Sequence, residues 1–154
     1  METRTAISIL VSLVFACLSA SAQVSVNGVG VFTEMTKSEV ISKFGEPDRY
    51  KYYDSGDNGV DEWYYYAGSH LVFNDSRFVE FSITDSKYTI TLYGLEQNVR
   101  VDDEFSVIAP LNPYYMDWYE KDWYCVAYIE FDERVCFLVK DGLIKCVAFS
   151  TSSY

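Results

Sequence analysis

The chain has 154 residues, of which 49% are hydrophobic and 18% aromatic, and its formal net charge is −11. This length and composition predict one compact domain or two small ones, and they exclude a disordered chain and a membrane-spanning protein. The acidic balance also argues against nucleic acid as a partner, because binding the phosphate backbone requires clustered Lys and Arg.

The first 22 residues have the layout of a signal peptide. An apolar run over residues 7–17 follows Arg4, and small residues at Ala20 and Ala22 stand where a signal peptidase cuts. The run is too short for a transmembrane helix. We therefore expect residues 1–22 to be removed, the mature chain to begin at Gln23, and the protein to be exported to the periplasm or secreted.

A second processing site overlaps the first. The segment 14–17, Val-Phe-Ala-Cys, is similar to the bacterial lipoprotein box, with Cys17 as the residue that would carry the lipid. Cleavage there would leave a protein tethered to a membrane, and without lipidation at Cys17 we expect no membrane contact.

The most fully specified element is a short helix over residues 37–44, which follows an alternating strand at residues 24–26. Thr36 is a favourable N-cap, and Glu39 can complete a capping box with it. Gly45 can close the last turn in a left-handed conformation, and Pro47 cannot continue the helix. Both ends of the helix are therefore predicted.

Three strands are predicted after the helix, over residues 62–67, 71–74 and 78–84. They are separated by the short turn segments Gly68-Ser69 and Asp75-Ser76, and this spacing is typical of antiparallel hairpins. In the third strand apolar and polar residues alternate, which predicts one buried face and one solvated face.

The second half repeats this order at an offset of 66 residues. Residues 90–94 match 24–28, Pro113 matches Pro47, and Asp141 matches Asp75, while 102–111 stands where the first helix stood. We interpret this as a tandem duplication, with repeats at 23–88 and 89–154; chance agreement of turn residues is the alternative. The predicted fold class is α+β, in which each repeat packs a short helix on a three- to four-stranded antiparallel sheet.

The second helix is predicted to be shorter or kinked. Asp102 can cap it, but Pro110 removes a backbone donor and disfavours helical geometry at the preceding residue.

The first helix and the strands after it resemble the BamE-like (SmpA/OmlA) family of exported proteins. Two such units in tandem also resemble the β-lactamase-inhibitory-protein arrangement. The resemblance implies an α+β fold and protein binding outside the cytoplasm. It rests on the strand around Trp63, the hairpin at Asp75, and the motif residues Met35, Thr36, Glu39, Val40, Phe44, Gly45, Pro47 and Asp48.

Three cysteines remain if Cys17 is removed, and their pairing is open. A three-residue loop ending at Gly142 would place Cys136 opposite Cys146, which makes this pair a possible disulfide. A two-residue Asp-Gly loop would point these two thiols to opposite faces, and three buried free thiols including Cys125 are the other outcome.

No catalytic, cofactor or metal motif is present in the sequence. His70 is the single histidine, and it occurs outside any recognisable catalytic motif, which favours a structural or solvated role. We therefore predict a protein that is not an enzyme and has neither a cofactor nor a metal.

Aromatic residues are concentrated in two segments of the sequence, residues 63–66 and residues 114–119. Successive residues of a strand point to opposite faces, so roughly half of each cluster must face solvent, a partner or the other repeat; filling a small core is the alternative. The leading prediction is a non-catalytic protein-binding or scaffold protein, an envelope assembly factor or inhibitor-like, that holds another exported or envelope protein. A glycan-binding module is the alternative. The candidate partner-binding residues are Trp63, Tyr64, Tyr66, Tyr114, Tyr115, Trp118 and Trp123.

Mass spectrometry of the mature protein tests the predicted export. We expect an N-terminus at Gln23, because the small residues at Ala20 and Ala22 fit the peptidase. An N-terminal, lipid-modified Cys17 would contradict this and place the protein on a membrane.

Overall fold

The computed structural model describes residues 24–116, 121–128 and 133–151. No helix in these ranges is long and apolar enough to cross a membrane. The elements in chain order are β1 (Val24–Val26), β2 (Val29–Gly30), α1 (Lys37–Phe44), β3 (Arg49–Asp54), a 3₁₀ turn (Gly56–Asn58), β4 (Val60–Tyr66), β5 (Ser69–Asn74), β6 (Arg77–Ile83), β7 (Ile90–Leu92), a 3₁₀ helix (Phe105–Leu111), β8 (Tyr114–Tyr115), β9 (Trp123–Tyr128), β10 (Glu133–Lys140) and β11 (Leu143–Thr151).

The fold is predominantly β, and the predicted α+β pair of helix-on-sheet repeats is wrong. One antiparallel sheet has eight strands in the order β3-β4-β5-β6-β11-β10-β9-β8, and a second sheet has three strands in the order β2-β1-β7. The two predicted sheets are therefore halves of a single sheet. The first strands of the two predicted repeats pair with each other in the small sheet instead of joining their own halves.

The joint between the halves explains why separate repeats do not form. β6 and β11 pair directly, with Ile83 opposite Val147 and Phe81 opposite Phe149. Separate sheets would leave each of these apolar strands as an open edge, with unpaired backbone groups and exposed side chains. Pairing removes both edges at once.

The central pairs of both sheets join positions that are 66 residues apart. Ser82 is opposite Ala148 in the large sheet, and Ser25 is opposite Thr91 in the small one. Antiparallel pairing about such positions places a local two-fold axis at each of these two strand pairs. The domain boundary between residues 88 and 89 stays a prediction.

Helix α1 has the predicted bounds and caps. The Glu39 N–H donates to Thr36 Oγ1 at 3.4 Å, the Thr36 N–H donates to Glu39 Oε2 at 2.7 Å, and the Gly45 N–H donates to the Ile41 carbonyl at 2.8 Å. The backbone hydrogen bond from Thr36 lowers the pKa of the Glu39 carboxyl. Val40 is fully buried and fixes the helix to the core.

The second helical segment is shorter than α1, as predicted, but its cap differs from the prediction. It is a 3₁₀ helix with Pro110 inside it, and Glu104 is its N-cap residue. Asp102 is not the cap: it has a φ of 72°, and its carboxylate accepts a hydrogen bond from Lys145 Nζ at 2.6 Å. Pro110 disfavours an α-helix because it has no N–H to donate and its ring would clash with the carbonyl four residues earlier.

One hydrophobic core lies on one face of the large sheet. It combines side chains from both sheets, α1 and the 3₁₀ helix, so these elements pack on the same side. Its members include Val24, Val26, Val40, Phe81, Ile83, Ile90, Leu92, Ile108, Val147 and Phe149.

The capping box predicts a measurable contribution to stability. Thr36→Ala should lower the free energy of unfolding by about 1 kcal/mol, because it removes the oxygen that accepts the Glu39 N–H. Urea denaturation measures the change. Ser42→Ala, at an exposed position of the same helix, is the matched control, and an equal loss in both variants would contradict the role of the cap.

Candidate functional site: the open face of the large sheet

The large sheet has a second face, directed away from the core, which we call the open face. The register places one side chain from each of the eight strands in a single row across it. The core side chains Phe81 and Phe149 lie on the opposite face, because they neighbour Ser82 and Ala148 along their strands. The row consists of Arg49, Tyr65, His70, Ser82, Ala148, Cys136, Cys125 and Tyr114.

Three rings form an aromatic cluster at the β3 end of the open face: Trp63, Tyr65 and His70. Trp63 stacks with Tyr65 at 6.1 Å between ring centroids and an interplanar angle of 21°. His70 contacts both, at 5.3 Å from Trp63 and 5.9 Å from Tyr65. Each ring therefore limits the rotation of the others, and the cluster presents a preformed surface.

Two cations border this aromatic cluster. The Arg49 guanidinium lies 4.1 Å from the Tyr65 ring centroid, and Lys51 Nζ lies 5.8 Å from the same centroid. Both distances are within the range of cation–π attraction. In the described part of the chain neither cation forms an ion pair, so both charges remain available to an incoming anionic group.

His70 interacts with one carboxylate. Its Nε2 lies 3.4 Å from Glu80 Oε1. Ser82 is directly opposite His70, but its hydroxyl is hydrogen-bonded to Cys146 Sγ at 3.4 Å. His70 is thus a member of the aromatic cluster, and the arrangement is suited to stacking and charge recognition.

Two predicted partner-binding residues belong to the core instead. Tyr64 is 0% exposed and Tyr66 is 4% exposed. The Tyr64 hydroxyl donates to Glu62 Oε1 at 3.2 Å, and the Tyr66 hydroxyl donates to the Gly45 carbonyl at 3.2 Å. Burial raises the pKa of Tyr64 and raises that of Tyr66 to about 12. Neither side chain can contact a partner in the folded chain.

The remaining predicted residues lie at the other end of the sheet. Tyr114 and Tyr115 are 42% and 48% exposed, and Tyr114 is opposite Cys125 on the open face. Trp123 is half-buried on β9, opposite Leu138. Since β4 and β9 are five strands apart, Trp123 is roughly 24 Å from Trp63. The structure therefore does not bring Trp63 and Trp123 together, and Trp118 lies outside the described residues.

Sequence reasoning missed four members of the site: Arg49, Lys51, Tyr65 and His70. The signal that could have found Tyr65 is strand parity, because Trp63 and Tyr65 must share a face and Tyr64 and Tyr66 the other. Arg49 and Lys51 have the same parity in the neighbouring strand, where they lie opposite Tyr65 and Trp63.

The cysteine pairing differs from both predicted outcomes. Cys125 and Cys136 form a disulfide across β9 and β10, with a Cα–Cα distance of 4.1 Å, and Cys146 is free and buried. The predicted pairing of Cys136 with Cys146 is wrong. The turn has only two residues, and a bulge between Leu138 and Val139 shifts Cys136 opposite Ala148. Cys17 lies outside the described residues.

Comparisons of the chain with protein-family models, with characterised proteins and with solved structures find no match. The resemblance of residues 35–48 to BamE-like proteins therefore stays a prediction. Within the described ranges, no group of three or more His, Cys, Asp or Glu side chains is arranged to hold a metal ion.

The disulfide assignment predicts a distinctive pattern in three variants. Cys125→Ala and Cys136→Ala should each lower the free energy of unfolding by about 2–4 kcal/mol, and the double variant should cost little more than either, because one cross-link is lost in all three. Urea denaturation under oxidising conditions measures this. Cys146→Ala is the control; if its loss matched that of Cys136→Ala while Cys125→Ala was harmless, Cys136 would pair with Cys146 instead.

Proposed function

We propose that this chain is a non-catalytic, exported binding or scaffold protein that holds another exported or envelope protein on its open face. The observation that carries the proposal is the aromatic cluster of Trp63, Tyr65 and His70, which lies with Arg49 and Lys51 on the sheet face away from the core.

The composition of this site favours a protein partner. Trp, Tyr and Arg are the residues that most often dominate the binding energy of protein interfaces. Because the rings already contact one another, binding costs little additional side-chain entropy. Val72, which lies opposite Trp63 on the same face, is only 3% exposed, so the apolar surface next to the cluster is already covered.

Export to the periplasm or outside the cell is part of the proposal. The signal-peptide layout of residues 1–22 supports it. The Cys125–Cys136 disulfide also supports it, because disulfides persist in oxidising compartments and are rare in the reducing cytosol. A lipid anchor at Cys17 is the less favoured form of the same proposal.

A glycan-binding module is the second candidate, and one observation favours it. The Trp63 and Tyr65 rings are stacked within 21° of parallel, and an outer ring face of such a stack can contact a sugar ring. The Arg49 guanidinium lies over Tyr65 at 4.1 Å, which leaves Trp63 as the ring available to a sugar.

Affinity capture from envelope extract, quantified for the captured partner, tests the proposal. Trp63→Ala and Tyr65→Ala should each weaken capture at least tenfold, ~1.4 kcal/mol, as expected for an aromatic residue at the centre of an interface. Tyr52→Ala is the matched control, because Tyr52 is 58% exposed on neighbouring β3 but has the opposite parity.

Two results would contradict protein binding at this face. Equal capture by all three variants would exclude the aromatic cluster as the contact surface. Glycan-array binding that is lost in Trp63→Ala, together with no captured protein, would favour the glycan-binding candidate. Circular dichroism of each variant confirms that the sheet remains folded.

A further inference from the structure

Strand β3 is an open edge of the large sheet in the described part of the chain. It has six residues, Arg49–Asp54, whereas β8 at the opposite edge has only two. Tyr52 is 58% exposed and Tyr53 is 47% exposed. An edge of this length has enough backbone groups to pair with another extended segment.

The free backbone groups of this edge belong to Tyr50, Tyr52 and Asp54. The Asp75 N–H donates to the Val60 carbonyl, so the even-numbered residues of β4 direct their backbone groups toward β5. The backbone groups of the odd-numbered residues of β4 therefore point toward β3. The Ser55 N–H donates to the Gly59 carbonyl, and this bond between two odd-numbered residues follows the same alternation. The even-numbered residues of β3 point their N–H and C=O groups outward.

The side chains beside that edge select for negative charge. A strand added antiparallel to β3 would place its non-hydrogen-bonded residues opposite Arg49, Lys51 and Tyr53, where side chains approach most closely. Arg49 and Lys51 lie on the open face next to the aromatic cluster and form no ion pair among the described residues. Acidic side chains at alternate positions of the incoming strand match them.

A second copy of this chain does not fit the same edge. Each chain carries a formal charge of −11, so two copies repel each other at long range. Pairing β3 with itself would also place Arg49 and Lys51 of both copies on one face of the joined sheet, where β3 supplies no carboxylate to either cation.

We infer that β3 binds an extended acidic segment of the partner protein as a ninth strand, with carboxylates at alternate positions against Lys51 and Arg49. This inference rests on the proposed protein-binding function and names the chemistry of the partner segment. The backbone of Tyr50 and Tyr52 supplies the pairing, and the cations supply the selectivity.

The probe is the synthetic peptide Thr-Val-Thr-Glu-Thr-Glu-Thr, labelled with a fluorophore. Its Val would lie opposite Tyr53 and its two Glu opposite Lys51 and Arg49. We expect saturable binding by fluorescence anisotropy, and slower hydrogen exchange at the Tyr50 and Tyr52 amides. A peptide with Lys in place of both Glu should bind at least tenfold more weakly.

Two changes separate backbone pairing from side-chain attraction. Tyr52→Pro should weaken binding of the acidic peptide at least tenfold, because it removes an outward N–H, whereas Tyr52→Ala keeps that N–H and should bind normally. N-methylation of the two Thr residues next to the first Glu blocks pairing from the peptide side, and this test needs no altered protein. Lys51→Glu should abolish the preference between the Glu and Lys peptides, because each peptide then has one attractive contact and one repulsive contact at positions 49 and 51.

The failure of this inference is distinct from failure of the proposed function. If Tyr52→Pro and the N-methylated peptide bind like their parents, or if the acidic peptide does not bind at all, strand addition at β3 is excluded. Loss of partner capture in Trp63→Ala would then still support protein binding on the open face. Unchanged capture in Trp63→Ala would instead count against the proposed function.

Discussion

The pairing of β6 with β11 is the constraint on which the rest of the structure depends. Phe81 stacks on Phe149 across this joint at 5.8 Å, with an interplanar angle of 19°. The joint turns two groups of four strands into one sheet, and this leaves the small sheet, α1 and the 3₁₀ helix to cover a single common face. Because the described covering elements all lie on that face, the other face is the open face. Its aromatic cluster is therefore a consequence of long-range pairing, although Trp63 and Tyr65 are close neighbours in sequence.

Local signals in the sequence were sufficient for α1 but insufficient for the sheets. The N-cap Thr36, Glu39 and Gly45 act within one or two helical turns, so the bounds of the helix follow from nearby residues. Strand partners are set by burial across the whole chain, and no local sequence pattern predicts that β6 pairs with β11. The same limit applies to the cysteines. One bulge, between Leu138 and Val139, changes which residue faces Cys136, and turn residues alone do not predict a bulge.

Strand parity separates the core residues from the site residues in the run Trp63-Tyr64-Tyr65-Tyr66. The sequence predicts that alternate residues share a face, but either pair could be the buried one. The structure decides this through Glu62, which accepts hydrogen bonds from the hydroxyls of Tyr50 at 2.6 Å and Tyr64 at 3.2 Å. These bonds tie Tyr50 and Tyr64 to the core side, and burial together with the hydrogen bond to Glu62 raises the pKa of Tyr50 to about 12. The residues left on the open face are those with the opposite parity.

The charge distribution explains how an acidic protein can recognise an acidic segment. A net charge of −11 repels anions at long range, but screening at physiological ionic strength limits such repulsion to about 8 Å. At contact, the incoming strand meets Arg49 and Lys51, and the Tyr65 ring holds both cations close to the β3 edge. Backbone pairing then fixes the register, so that only a segment with carboxylates at alternate positions satisfies both cations. Acidic proteins that lack such a segment make no contact with the two cations, and this difference in binding free energy, rather than affinity alone, makes the edge selective.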